Sequence, residues 1–330
     1  MPSQAFLSRA RLTAFGSYVP DKVLTNADLE AMVDTNDEWI VQRTGIRERR
    51  IAAEDQFCSD LCFAAVRDLQ TRYSADLHDI DFILVATTTP DTFFPSMSAR
   101  VQAEFGIPSC GTADIQAACA GFVSALQMAN GLLLSGSHRK ILVIGAETLS
   151  KATDYTDRST CILFGDGAGA ALLEYAEEGA LLGSYVSTAG DRNANLYRSS
   201  LSASIEDKPI LTNGKIVQNG REVYKWAVTN VPKGVSAILE RYGYAATDLD
   251  WFVPHSANMR IIESVCERTD IPIERTLASL ETCGNTSAAS IPLALDMALK
   301  DGRLKNGDLV LLYGFGGGLT EAALLLRWTL

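Results

Sequence analysis

Phe122, Ala125, Leu126, Ala129, Leu132 and Leu133 recur at intervals of three, four and seven, the spacing of one buried helix face. Elsewhere the apolar positions run without a break. Phe82-Ile83-Leu84-Val85, Ile141-Leu142-Val143-Ile144-Gly145, Trp251-Phe252-Val253-Pro254 and Leu309-Val310-Leu311-Leu312-Tyr313-Gly314 are short and continuously apolar. Such runs suit strands buried on both faces, so the pattern predicts an α/β fold with mostly parallel sheets covered by helices. The pattern also repeats. Asp79 and Asp248 open matching Asp-x-Asp segments, Gly145 and Gly314 close matching strands, and both pairs stand 169 residues apart. Two duplicated halves, 1–178 and 179–330, follow from this repeat, with the seam placed where Glu177-Glu178-Gly179 interrupts the apolar pattern. Residues 190–222 are polar and read as loops and short strands.

Composition narrows the function. A 330-residue chain with 47% hydrophobic residues can bury a large core. Its net charge of −11 argues against nucleic acid or an anionic membrane as a partner. The first residues, MPSQAFLSRARLTAFG, lack the apolar core of a signal peptide, and no stretch approaches the ~18 apolar residues of a membrane span. A cytoplasmic protein is expected. The seven cysteines, Cys58, Cys62, Cys110, Cys119, Cys161, Cys266 and Cys283, are odd in number and scattered, as reduced thiols would be. Cys58 and Cys62 can share a helix face but have no histidine beside them, so they read as apolar filler and no metal site is expected.

One thiol stands apart. Cys119 lies in Asp114-Ile115-Gln116-Ala117-Ala118-Cys119-Ala120-Gly121-Phe122, where small residues meet the apolar helix. A helix N-terminus contributes about 0.3–1 kcal/mol to a nearby anion, up to ~2 in good geometry, which would lower a thiol pKa by about one unit. His255 directly follows an apolar strand, and Asn285 stands in Gly284-Asn285-Thr286-Ser287 before a second helix. Parallel sheets gather ligands at the carboxyl ends of their strands. A pseudo-two-fold between the halves would therefore bring Cys119, His255 and Asn285 to one pocket, where they suit acyl transfer that makes carbon–carbon bonds. His78 and His138, in polar surroundings, read as structural.

With these residues in place, the chain resembles the 3-oxoacyl-[acyl-carrier-protein] synthase III family of the thiolase-fold superfamily. The resemblance runs from Gly16-Ser17-Tyr18-Val19-Pro20 to the C-terminal strand. It is carried by Asp37-Glu38-Trp39-Ile40 with Arg43-Thr44-Gly45-Ile46-Arg47, Ala117-Ala118-Cys119-Ala120-Gly121-Phe122, Thr156-Asp157-Arg158, Phe164-Gly165-Asp166-Gly167-Ala168-Gly169, His255-Ser256-Ala257-Asn258, Gly284–Ser290 and Phe315-Gly316-Gly317-Gly318. It implies a layered αβαβα thiolase-like fold and the opening decarboxylative condensation of type II fatty acid synthesis, from acyl-CoA and malonyl-acyl-carrier protein. Cys119 would carry the acyl group, and His255 and Asn285 would donate hydrogen bonds to the enolate. Backbone N–H groups of Cys119 and Gly317 would form an oxyanion hole, with Phe315 shaping the floor.

The resemblance further assigns Trp39 and Arg158 to the CoA adenine, Arg43 to a phosphate, and Lys225 and Arg260 to the carrier protein; Arg268 adds to that basic patch, and Glu267 beside it weakens the patch. Phe94 would cross a dimer interface to border the partner's acyl pocket, and the strand after the Cys119 helix would pair across the dyad of a homodimer. No cofactor is implied, since acyl-CoA is a substrate. Ser256 departs from the glutamine of many relatives, which bears on subgroup or carrier contacts; the primer stays open between acetyl, a longer straight chain and a short branched chain, and the surrounding motif leans toward the branched one.

Gly165–Gly169 lacks the G-x-G-x-x-G spacing of a dinucleotide loop and reads as close packing. Gly314-Phe315-Gly316 lacks the second cysteine of a degradative thiolase, and Asn285 stands where elongating synthases use a second histidine. A starter-unit ketosynthase of secondary metabolism remains open on the same framework. A cysteine-dependent thioester hydrolase would need G-x-C-x-G around the nucleophile, where this chain has Ala117. A catalytically dead subunit would lack Cys119.

Overall fold

The continuous apolar runs become the inner strands of two sheets in a computed structural model, which describes residues 6–190 and 193–330. The first sheet has the order β1-β5-β4-β2-β3, from β1 (Ala10–Tyr18), β2 (Phe82–Ala86), β3 (Gly111–Ile115), β4 (Lys140–Thr148) and β5 (Asp166–Tyr175). The second has the order β6-β9-β8-β7, from β6 (Leu181–Thr188), β7 (Trp251–Pro254), β8 (Leu309–Gly316) and β9 (Thr320–Arg327). Read in the same direction, the two share strand order and sense. β4 and β2 run parallel, as do β8 and β7, whereas β5 and β9 are antiparallel to both neighbours. The sheets are thus mixed rather than mostly parallel. β8 reaches β9 across the short turn 317–319, which leaves room only for an antiparallel return.

Helices complete five layers. α2 (Cys58–Tyr73) and α3 (Met97–Glu104) cover the outer face of the first sheet, while α5 (Gly220–Tyr242) and α6 (Met259–Thr269) cover the second; α1 (Asp37–Thr44) packs beside α6. Between the sheets lie α4 (Gly121–Leu134) and α7 (Ser290–Lys300). α4 touches β2 and β4 on one side and β8 and β9 on the other, so it buries Val123 and Asn130 in addition to the predicted stripe, of which Leu132 alone is half-buried. The buried Asn130 amide is satisfied by Ser8, the Arg9 N–H and the Leu7 carbonyl, which pins the entry to β1.

The glycines of 165–169 pack as expected. A Cβ at Gly165 would lie 2.1 Å from the Cys283 carbonyl, and one at Gly169 would lie 2.4 Å from Pro292. Cys58 and Cys62 are buried along α2. The polar stretch after residue 193 supplies only two- and three-residue strands before α5 begins.

A second expectation fails. The strand after the Cys119 helix is β4, and it is hydrogen-bonded on both edges, by β2 and β5. It has no edge to offer a dyad. The edges of this sheet are β1 and β3, the latter being the strand before Cys119. Among the described residues no helix is long and apolar enough to cross a membrane.

Candidate active site

β3 ends at Ile115, and the chain then turns through Ala118, at φ 44°, into a 3-10 turn over Ala118–Ala120 that feeds α4. Ser287 does the same at φ 46°, opening the turn Ser287–Ala289 that feeds α7. The two left-handed residues stand 169 positions apart, so the pseudo-repeat extends to backbone conformation. β8 runs directly beneath the first turn. A side chain on Gly314 would meet the Ala120 Cα at 2.7 Å, and one on Gly316 would meet the Cys119 Sγ at 2.7 Å. Glycine is required there because the backbone itself forms the floor under the thiol.

Cys119, His255 and Asn285 line one cavity of about 980 Å³, together with Phe315, Gly316 and Gly317. His255 follows β7, and its N–H donates to the Tyr313 carbonyl of β8 at 2.8 Å. Its ring is buried, 5.4 Å from Phe315 in an edge-on contact, and its Nδ1 lies 2.7 Å from the Ser290 Oγ. Burial drives the imidazole pKa down to about 3, so the ring is neutral at pH 7. Asn285 is gripped on both sides by the preceding half: its N–H donates to the Leu163 carbonyl at 2.8 Å, and its carbonyl accepts the Gly165 N–H at 3.1 Å. Its side-chain Oδ1 accepts the Ser287 N–H at 2.9 Å, which leaves the amide nitrogen to donate elsewhere.

The thiol reverses the dipole argument. Burial raises the Cys119 pKa to about 11. Hydrogen bonds from Ser287 and the N–H groups of Gly317 and Cys119 pull it down, and the nearby Glu147 carboxyl pushes it up. Glu147 is itself buried, holding the Thr88 N–H and the Thr88 and Thr89 hydroxyls. The dipole's one unit is too small to offset the loss of water around a thiolate. All three central groups are uncharged at neutral pH.

At the solvent end of the cavity, Arg158 Cζ lies 5.0 Å and Arg43 Cζ 5.7 Å from the Trp39 ring centroid. Trp39, Arg43 and Arg260 line the cavity, as does Ser159 beside Arg158. Lys225 and Arg268 are exposed on α5 and α6 without lining it. Phe94 is 87% exposed and does not line this chain's cavity, whereas Phe93 does. Ser256 is fully buried, with its hydroxyl accepting the Ser279 N–H at 3.0 Å, so of the two readings of this departure, subgroup or carrier contacts, burial favours the first.

Sequence reasoning missed Thr88, Gln116, Arg198, Arg221 and Ser287, all of which line the cavity. Arg198 bridges the carbonyls of Thr88 and Gly214, both at 2.9 Å. Gln116 stands 169 residues before Asn285, and the repeat could have singled it out. Among the described residues no group of three or more His, Cys, Asp or Glu is placed to hold a metal ion.

Two family models match the chain: 3-oxoacyl-[acyl-carrier-protein (ACP)] synthase III at residues 113–190, and the C-terminal model of the same name at residues 239–328. A beta-ketoacyl-[acyl-carrier-protein] synthase III 2 from Halalkalibacterium halodurans is 58% identical, covering 98% of each chain. Among solved structures, a beta-ketoacyl-[acyl carrier protein] synthase III from Thermus thermophilus superimposes with a TM-score of 0.92 at 45% identity, over 96% of this chain and 99% of that one. The priming beta-ketosynthase of the R1128 polyketide pathway gives a TM-score of 0.90 at 35% identity, over 99% of both chains.

Proposed function

This chain belongs to the 3-oxoacyl-[acyl-carrier-protein] synthase III family, and from that premise we propose how its residues divide the work. The protein is an acyl-condensing transferase that initiates type II fatty acid synthesis on a thiolase fold. The hydrolase alternative is thereby set aside, and likeness to the polyketide priming enzyme is the lower of the two, at 35% against 58%.

Cys119 takes the acyl group. Its sulfur bonds the thioester carbon of acyl-CoA, the carbon–sulfur bond to CoA breaks, and the thiol proton leaves with the departing CoA sulfur. Backbone N–H groups of Cys119 and Gly317 hold the tetrahedral oxyanion. Malonyl-acyl-carrier protein then loses carbon dioxide, and the electron pair of the broken bond becomes an enolate. His255 and Asn285 donate to its oxygen while its carbon attacks the Cys119 thioester, expelling the thiolate, which regains a proton. No cofactor enters. The observation that carries this reading is the convergence of Cys119, His255 and Asn285 on one cavity floored by Gly316.

Trp39 and Arg158 stack the CoA adenine and Arg43 meets a phosphate. A ring stacked on both faces needs about 7 Å between its neighbours, so the 5.0 Å contact must open by about 2 Å. Lys225, Arg260 and Arg268 attract the acidic carrier; reversing Arg268 should raise KM for the carrier and leave that for acyl-CoA unchanged. The protein is cytoplasmic and homodimeric, with halves dividing at 178/179, and accepts acetyl or short-chain primers, branched ones among them.

Intact and peptide mass spectrometry over a panel of acyl-CoAs tests the whole reading. A hydroxylamine-labile acyl mass on Cys119 is expected, cleared by malonyl-acyl-carrier protein with release of a 3-oxoacyl product, and isobutyryl-CoA should compete with acetyl-CoA. An acyl mass lost to water alone, or no label on Cys119, defeats the assignment. Acetyl-CoA far outpacing isobutyryl-CoA defeats only the branched primer.

A further inference from the structure

Ser290, Ser256 and Ser279 are all buried behind His255, and the motif reading gave them no part in the chemistry. Their hydrogen bonds bear on which nitrogen of the ring carries the proton. Ser290 Oγ lies 2.7 Å from His255 Nδ1 and accepts the Ser256 N–H at 3.4 Å. A hydroxyl has one proton to give and two lone pairs to accept with. Were the proton on Nδ1, it would point at an oxygen that already accepts from Ser256, and the Ser290 proton would have no acceptor among that oxygen's contacts. A buried donor left unpaired is costly. Reversing the bond satisfies every group: Ser290 gives its proton to Nδ1 and accepts from Ser256. The ring proton then sits on Nε2, the nitrogen left for the cavity.

The partner donor is aimed from the same turn. Ser287 N–H holds the Asn285 Oδ1, three residues before Ser290 begins α7. We infer that Ser290 is a positioning residue that fixes His255 as the Nε2–H tautomer, so that this N–H and the Asn285 amide reach the enolate oxygen together. The inference rests on His255 and Asn285 being the enolate donors. It also separates the two half-reactions. Acyl transfer sends the Cys119 proton to the leaving CoA sulfur and does not call on His255 as a base. Only the decarboxylative condensation depends on the tautomer.

The test compares Ser290→Ala, Ser290→Thr and His255→Ala in the full-length protein, reading Cys119 acylation and condensation separately, with nitrogen-15 NMR of the ring. The chain has three histidines, so His255 is assigned by its loss in the His255→Ala spectrum. In the unsubstituted protein Nε2 should carry the proton and Nδ1 should be bare. Ser290→Ala should show a mixture of tautomers, lower condensation by the factor by which the Nε2–H share falls, about two- to tenfold, and keep acylation near its original rate. Ser290→Thr should restore both readouts. If the alanine variant does not fold, Ser290→Cys, a poorer donor of similar volume, should show the same loss. A protonated Nδ1 in the unsubstituted protein, condensation undiminished in Ser290→Ala, or an equal fall in both half-reactions overturns the inference. In those cases His255→Ala still fails to condense. If His255→Ala condenses normally, the donor assignment itself fails and takes this inference with it.

Discussion

Cys119 shows how far a motif reaches. Its place in the cavity was legible from the small residues before an apolar helix, and the places of His255 and Asn285 from their positions beside strand and helix ends. The protonation states were not. They depend on Glu147, Ser287 and Gly317, which arrive beside the thiol from three other segments, and on the loss of water, which no local pattern records. The charge-neutral site has a direct consequence. With the pKa raised to about 11, the reactive thiolate grows as pH rises. Iodoacetamide labelling of Cys119 in the free protein should therefore climb about tenfold per pH unit from 7 to 10, without levelling. Peptide mass spectrometry reads this directly, and a plateau near pH 8 would restore the helix dipole as the dominant influence. The burial of Ser256 was hidden for a related reason, since its partner Ser279 comes from a separate segment.

At the scale of elements, the apolar runs named the strands but not their neighbours. β2, β4, β7 and β8 were legible because each is continuously apolar; that β4 would be central and β3 an edge was not, since both flanks of a buried strand read alike. Arg198 and Arg221 went unseen because isolated cations in polar stretches look like solvated surface. Helix packing makes a contrasting pair of glycines. A Cβ on Gly234 of α5 would lie 1.7 Å from the Tyr313 hydroxyl, which donates to Glu321 at 2.6 Å, whereas a Cβ on Gly131 of α4 meets nothing within 4 Å. Gly234→Ala should cost about 1–3 kcal/mol through overpacking. Gly131→Ala should add about 0.5–1 kcal/mol by restricting the unfolded chain. Denaturant unfolding of the two variants distinguishes these signs, and equal effects would refute the packing argument.

For the molecule as a whole, the exposed edge of β3 and the exposed rings of Phe93, at 74%, and Phe94 mark a surface suited to a second copy. Sedimentation at micromolar concentration should give twice the mass of one chain, and Phe94→Ala should reorder the acyl-CoA panel. A single-chain mass removes the basis for a shared acyl pocket. The middle layer carries a different kind of consequence. α4 is apolar toward both sheets, and the strands that cover its second side, β8 and β9, are translated long after it. A ribosome making this protein therefore exposes a sticky helix for most of elongation. The nascent chain is a natural client for a chaperone that shields apolar surface, and a fragment truncated before β8 should aggregate where the full chain folds.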